Sequence, residues 1–248
     1  MKILAMDSSG TVAGVALVEN GTVIAEYNVN YKKTHSQTLL PMLDEIAKMT
    51  ELDLNTVDAF AIAAGPGSFT GLRIGSATVK GLGLALDKPV VSVPTLEGMA
   101  YNCWGYNGII CPMMDARRDQ VFSGIYVCGS SVDIPCEKSV GDLNVICDQM
   151  ADSVDVMIAK LNELGEKNQG LKVILLGDGV TAQFETIKEK LKISWEVAPA
   201  NMNRQRAASV GTLGSIYFEE GKFEAASDHK PEYLRVSQAE RERAECLK

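Results

Sequence analysis

The sequence predicts an α/β protein of two lobes, each built on a mixed sheet flanked by helices. A unit of apolar strand, acidic turn and returning β-type run occurs twice. It reads Lys2–Met6, Asp7-Ser8-Ser9-Gly10 and Val12–Val18, and again Ile109–Met114, Asp115-Ala116-Arg117-Arg118-Asp119 and Val121–Val127. Between the copies an apolar run, Ala59–Ala64, breaks at Gly65-Pro66-Gly67 and passes into an apolar helical segment from about Thr70 to Leu86. With 248 residues, 46% of them hydrophobic, the chain can bury a large core in one or two domains. The repeat puts Asp7 and Asp115 in equivalent places and divides the chain near Asn102, into lobes 1–102 and 103–248.

Taken in order, the first strand is followed by the runs Val12–Val18 and Val23–Val29, joined at Glu19-Asn20-Gly21, where Asn-Gly is a strong hairpin signal. His35-Ser36-Gln37-Thr38 then opens an amphipathic helix with Leu39, Leu40, Leu43, Ile46 and Ala47 on one side, and Pro41 falls early enough to cost little backbone bonding. Val57–Ala64 and Pro89–Val93 are strands on either side of the helix that Ser68 or Thr70 caps, and a further helix covers Thr95–Tyr101. In the second half, Met150, Val154, Met157, Ile158, Leu161 and Leu164 recur at helical spacing and Lys172–Leu176 is a strand. Phe184, Ile187 and Leu191 mark another helix. Asn203–Glu220 is helical, small-residue-rich, and a candidate to pack back on the first lobe; from Lys230 on, the tail is charged and expected to order on docking.

The segment 65–86 carries the most information. Interior glycine costs on the order of 0.5–1 kcal/mol against alanine, yet Gly71, Gly75, Ser76, Gly81 and Gly83 sit in one helix. The spacing leaves one face bare for another backbone. A phosphate-binding P-loop would need four residues between its glycines and a following Gly-Lys-Ser/Thr; here five separate Gly65 from Gly71, and Leu72-Arg73 follows. A dinucleotide fingerprint fails by one residue and by its place after several strands. There is no Gly-x-Ser-x-Gly elbow of an acyl hydrolase.

A strand, acidic turn and hairpin occurring twice is how the actin-like, sugar-kinase-like and Hsp70-like ATPase fold looks in sequence. Gly65-Pro66-Gly67-Ser68-Phe69-Thr70-Gly71-Leu72-Arg73-Ile74-Gly75 and His35-Ser36-Gln37-Thr38-Leu39-Leu40-Pro41 closely resemble the bacterial TsaB (YeaZ) family of tRNA threonylcarbamoyladenosine biosynthesis proteins. Asp115-Ala116-Arg117-Arg118, Pro231-x-Tyr233-Leu234-Arg235 and Gln238-Ala239-Glu240 fit it too, so the resemblance spans most of the chain outside 128–169. It implies the actin-like fold and a non-catalytic subunit that pairs with TsaD and with the ATPase TsaE. That complex places threonylcarbamoyl, delivered from TsaC as the adenylate, on the adenosine next to the anticodon in tRNAs reading codons that begin with A.

On that reading the docking face lies on the two helices, with Ser36, Leu39, Leu40, Leu43, Ser68, Phe69, Thr70, Gly71, Leu72, Arg73, Ile74, Gly75, Ser76 and Val79 as candidate contacts. Gly75→Leu is then expected to fold and to lose pairing with TsaD. A homodimer of the isolated chain stays open beside the heterodimer. In working ATPases of the fold the two acidic turns hold magnesium and phosphates across a cleft. Asp7, Ser8, Ser9, Asp115, Gly177, Asp178 and Gly179 are the corresponding residues, and an ATP-dependent phosphotransferase is the alternative function. Against it, Asp178 puts a carboxylate in the middle of the glycine turn where phosphates would sit. Asp7 reads equally as a turn-forming aspartate bonded to its own backbone. TsaD binds its metal through His-x-x-x-His, and this chain has only His35 and His229. No catalytic residue, metal or cofactor is expected, and ATP hydrolysis by the protein alone is expected at background.

The net charge of −8 is spread over both halves: residues 1–101 carry seven basic and ten acidic side chains, residues 102–248 seventeen and twenty-two. Tight nucleic-acid binding needs a basic face to release counterions, so tRNA contact is expected through the complex. No signal peptide or membrane span is read, and the expected location is the cytoplasm. The six cysteines form no Cys-x-x-Cys pair and are expected as reduced, mostly buried thiols.

Overall fold

Two mixed sheets that share one five-strand order, the second with an added edge strand, carry the chain. The computed structural model describes residues 1–129, 134–136 and 138–235. Strands β1 (Lys2–Asp7), β2 (Ala13–Glu19) and β3 (Thr22–Val29) form an antiparallel meander; β4 (Ala59–Gly65) and β5 (Val90–Pro94) add in parallel beyond β1, giving β3-β2-β1-β4-β5. The meander recurs as β6 (Ile109–Asp115), β7 (Gln120–Cys128) and, after the short β8 (Lys138–Val140), β9 (Leu143–Ser153). With β10 (Lys172–Leu176) and β11 (Ser194–Val197) parallel beyond β6, the second order is β11-β10-β6-β7-β9-β8. β1 and β6 hold the same central place, and each ends in its aspartate. This duplicated mixed sheet is the actin-like architecture.

The helices are α1 (His35–Met49), α2 (Phe69–Leu86), α3 (Thr95–Tyr101), α4 (Val154–Lys167), α5 (Asp178–Ala182), α6 (Phe184–Lys190) and α7 (Ala207–Glu219). Alternation along β1 decides which helices cover which face. Leu4 and Met6 pack with Leu39, Leu43 and Ile46 of α1 and Val79 of α2; Ile3 and Ala5 pack with Val210, Leu213 and Tyr217 of α7. In the second sheet, Ile109, Cys111 and Met113 meet Met157, Ile158 and Leu161 of α4, while Ile110 and Met114 meet Leu96 and Met99 of α3. The result is five layers, with α3 and α7 between the sheets. Small residues set the closeness of α7: a Cβ on Gly214 would stand 2.6 Å from that of Ala61, and one on Gly211 2.6 Å from Val18.

Local signals act as the residues dictate. Asn20 and Gly21 both take positive φ (49° and 76°), as a two-residue hairpin requires. Ser68 caps α2 by accepting the Gly71 N–H at 3.3 Å, and Asp87 ends it in the left-handed region at φ 53°. Three expectations need correction. Met150 lies in β9, not in a helix; α4 begins at Val154. The strand was hidden because bulges in the β7–β9 pairing switch its buried side from Leu143 and Val145 to the face of Cys147 and Met150, breaking the alternation. Leu40 is 53% exposed, and Met42 takes its place in the core. Finally, α7 begins at Ala207 because the residues before it are used elsewhere: Asn203 Oδ1 accepts the Gly177 N–H at 2.6 Å, and Arg206 pairs with Glu26.

A charged cluster sits at the joint between the lobes. Glu97 of α3 is fully buried, accepts the Tyr217 hydroxyl, and pairs at 2.9 Å with Lys138 of β8, which also reaches Asp148 at 3.3 Å. Removing the ammonium leaves a buried carboxylate with less compensation. Lys138→Met is therefore expected to lower stability by about 1–2 kcal/mol, measured by urea denaturation at neutral pH. The cysteines Cys103, Cys111 and Cys128 are buried, while Cys147 is half-buried and Cys136 exposed; Cys246 lies outside the described residues.

Candidate functional site: the interlobe cleft

A cleft of about 650 Å³ opens between the lobes. One wall is the turn after β1 (Ser9, Gly10, Thr11) with the β4–α2 turn (Pro66 to Thr70); the other is the turn after β6 (Met114 to Arg117) with Asp178. Of the seven predicted cleft residues, Ser9, Asp115 and Asp178 line it. Asp7, Ser8, Gly177 and Gly179 lie buried beneath its walls.

The first acidic turn is bolted to the start of α2. Asp7 is 2% exposed and its Oδ1 accepts both the Ser9 N–H at 2.8 Å and the Ser9 hydroxyl at 2.7 Å. Burial outweighs those hydrogen bonds and the nearby His35, pushing the carboxyl up from 3.8 to about 6. Ser8 Oγ donates to the Gly71 carbonyl at 2.9 Å, and Ser68 N–H donates to the Ser9 carbonyl at 2.7 Å. These contacts explain the glycines. A Cβ on Gly71 would lie 2.0 Å from the Ser8 carbonyl oxygen, and one on Gly75 2.3 Å from Ser8 Oγ and 2.9 Å from Ile62.

The bare face of α2 is thus spent inside the lobe, and the expectation that Gly71 and Gly75 meet a partner is corrected. Leu39, Leu43, Leu72, Gly75, Ser76 and Val79 are buried with Gly71, Val79 completely so, and in this chain they are interior packing. Ser36, Leu40, Ser68, Thr70 and Arg73 are exposed, and Phe69 and Ile74 half-buried. The surface candidates are these seven.

The second acidic turn is also satisfied from within. Asp178 Oδ1 accepts the Asp115 N–H at 3.0 Å, and Asp115 Oδ1 accepts the Arg117 N–H at 2.7 Å. Gly177 (φ 106°) and Gly179 seat α5 against β6: a Cβ on Gly177 would stand 2.0 Å from the Met113 carbonyl oxygen. The histidines serve separate places. His35 Nε2 donates to the Gly10 carbonyl at 2.9 Å, whereas His229 is buried with Nδ1 2.9 Å from Glu224 and 3.1 Å from Ser92 Oγ. They do not fit the paired-histidine metal set that the family resemblance brings to mind. Among the described residues no three His, Cys, Asp or Glu side chains converge to hold a metal ion.

Sequence reasoning missed the third wall, Glu232 to Arg235. Glu232 N–H donates to the Ala64 carbonyl at 2.7 Å, and its own carbonyl closes on Gly65, where a Cβ would stand at 2.1 Å. The Tyr233 ring lies on Phe69 with centroids 4.8 Å apart; Arg73 stacks on Phe69 at 3.9 Å and donates from Nε to the Tyr233 hydroxyl at 3.2 Å. Arg235 donates to the Ala116 carbonyl at 2.5 Å. The expectation of a tail that orders only on docking therefore fails for Lys230 to Arg235, since the chain itself supplies the docking site. Gln238-Ala239-Glu240 lie outside the described residues. Tyr233 and Leu234, apolar in a charged tail, were the available signal.

Comparison with known proteins gives concordant matches. The family model described as TsaD: tRNA N6-adenosine threonylcarbamoyltransferase matches residues 22–243. The tRNA threonylcarbamoyladenosine biosynthesis protein TsaB of Bacillus subtilis is 32% identical over 242 residues, 97% of this chain and 96% of that one. TsaB of Escherichia coli is 38% identical over 128 residues, 51% of this chain and 55% of that one. A crystal structure of YeaZ-like protein from Pseudomonas aeruginosa superposes with a TM-score of 0.74 at 23% identity, covering 94% of this chain and 99% of that one, which speaks for the fold.

Proposed function

The chain belongs to the TsaB family, and on that premise we propose that it works in the formation of N6-threonylcarbamoyladenosine on tRNA as a non-catalytic subunit pairing with TsaD and with TsaE. The observation that carries the non-catalytic reading is the state of the cleft. Asp7, Asp115 and Asp178 are each engaged by turn N–H groups of this chain, and residues 232–235 stand along the third side. A group held by its own turn is poorly placed to take a metal or a phosphate. The match to a TsaD-described model over residues 22–243 supports a TsaD-related assembly, in which the metal-binding histidine pair would belong to the partner.

The docking face in this proposal is the surface of α1 and of the start of α2: the exposed Ser36, Leu40, Ser68, Thr70 and Arg73 with the half-buried Phe69 and Ile74. With a net charge of −8, tRNA is held mainly through the partner. Among the described residues no helix is long and apolar enough to cross a membrane, and the proposed site of action is the cytoplasm.

Reconstitution tests the reading. TsaD, TsaE and TsaC with a threonylcarbamoyl-adenylate supply are expected to modify tRNA only when this chain is added, and the chain alone is expected to transfer nothing and to hydrolyse ATP at background. Modification at full rate without it, or ATP turnover by the pure chain that Asp7→Asn abolishes, would favour the phosphotransferase instead.

A further inference from the structure

The last described stretch of the chain runs back along α2 and ends across the cleft. Glu224 exchanges backbone hydrogen bonds with Val90, both 2.9 Å, and Lys80 Nζ holds the Ser227 carbonyl at 2.5 Å. Tyr233 then reaches Phe69 and Arg73 in the first turn of α2. From there the segment changes lobe: Glu232 is tied to Ala64 in the first, Arg235 to Ala116 on the acidic turn of the second.

The nature of these ties differs from that of the walls they join. Residues 231–235 belong to no helix or strand, and Tyr233 and Leu234 remain 40% and 39% exposed. β1 and β6, which carry the turns, are almost wholly buried. Segments with few buried contacts open at free energies far below that of global unfolding. Opening here would break the Glu232–Ala64 and Arg235–Ala116 hydrogen bonds and the Tyr233 contacts with Phe69 and Arg73, none of which belongs to either sheet's strand ladder.

We propose that residues 231–235 form a releasable strap that holds the two lobes together at the cleft mouth, and that its detachment opens the cleft, uncovers the half-buried Phe69 and frees the already exposed Arg73 from the Tyr233 hydroxyl. Tyr233 is the latch on the first lobe, because its ring and its hydroxyl are both engaged. Arg235 is the latch on the second.

Hydrogen exchange by mass spectrometry on the full-length chain tests this, with Tyr233→Ala, Arg235→Ala and Tyr233→Phe beside the unsubstituted protein. Either alanine variant is expected to speed exchange at least tenfold at the Glu232 amide, which the Ala64 carbonyl holds, with β1 and β6 unchanged. Tyr233→Phe keeps the ring contact and is expected to stay near the unsubstituted rates. Three results would overturn the strap: unchanged Glu232 exchange in both alanine variants, equal acceleration in β1 and β6, or failure of both variants to fold, since the last two make the segment part of the core.

Discussion

Gly75→Leu is expected to lower the melting temperature by roughly 6–12 °C, the shift that about 3 kcal/mol produces in a chain of this size. The reason is local. Even a methyl group at 75 would stand 2.3 Å from Ser8 Oγ and 2.9 Å from Ile62, and Ser8 is itself fixed by its bond to the Gly71 carbonyl. A leucine must push the turn after β1 away from α2 or bend the helix, and the close-packed interior cannot absorb either cheaply. Two controls isolate the cause. Gly81 lies on the same helix with nothing within 4 Å of an added Cβ, so Gly81→Ala is expected to stabilise by about 0.5–1 kcal/mol. Lys48→Leu, at an exposed site on α1, is expected to change little. Thermal denaturation of the four proteins decides it: a Gly75→Leu protein that melts with the unsubstituted one would mean that the face is open after all.

That reversal shows what the sequence could and could not reveal. The duplicated strand, acidic turn and hairpin were readable because short-range patterns encode them: apolar runs ending at Asp7 and Asp115, and an Asn-Gly turn. The cost of glycines in α2 was readable as a demand for close approach. Which surface makes that approach was not, because helical spacing fixes a face without naming what lies against it; the answer, Ser8, sits 63 residues away from Gly71. Likewise Gly177 and Gly179 looked like a turn opened for a ligand and instead let α5 lie on Met113. The strap was legible only as an apolar pair, Tyr233 and Leu234, in a charged tail, and its role was hidden for a different reason. A five-residue segment without periodicity has no pattern of its own, and Tyr233 gains its meaning from Phe69 and Arg73, residues that only the fold brings near.

Asp7→Asn is expected to flatten the pH dependence of stability between about pH 4 and pH 7. In the folded chain burial holds the Asp7 carboxyl at about 6, against 3.8 for the free group. Well below 3.8 both states carry the proton and the group costs nothing. As pH rises from 3.8 to about 6 the unfolded chain releases the proton that the folded chain retains, so stability is progressively lost. The full loss, reached above pH 7, is on the order of 3 kcal/mol. Asparagine offers the same Oδ1 to the Ser9 N–H and hydroxyl and cannot ionise, so any cost of its amide is the same at every pH. Urea denaturation at pH 4.5 and pH 8 is therefore expected to show the variant gaining about 2 kcal/mol on the unsubstituted protein between the two; parallel profiles would mean that Asp7 ionises freely. The same variant separates the two functions. If the aspartate only shapes its turn, Asp7→Asn supports tRNA modification with TsaD and TsaE at an undiminished rate, whereas a collapse of modification would give the buried carboxylate a working role in the cleft.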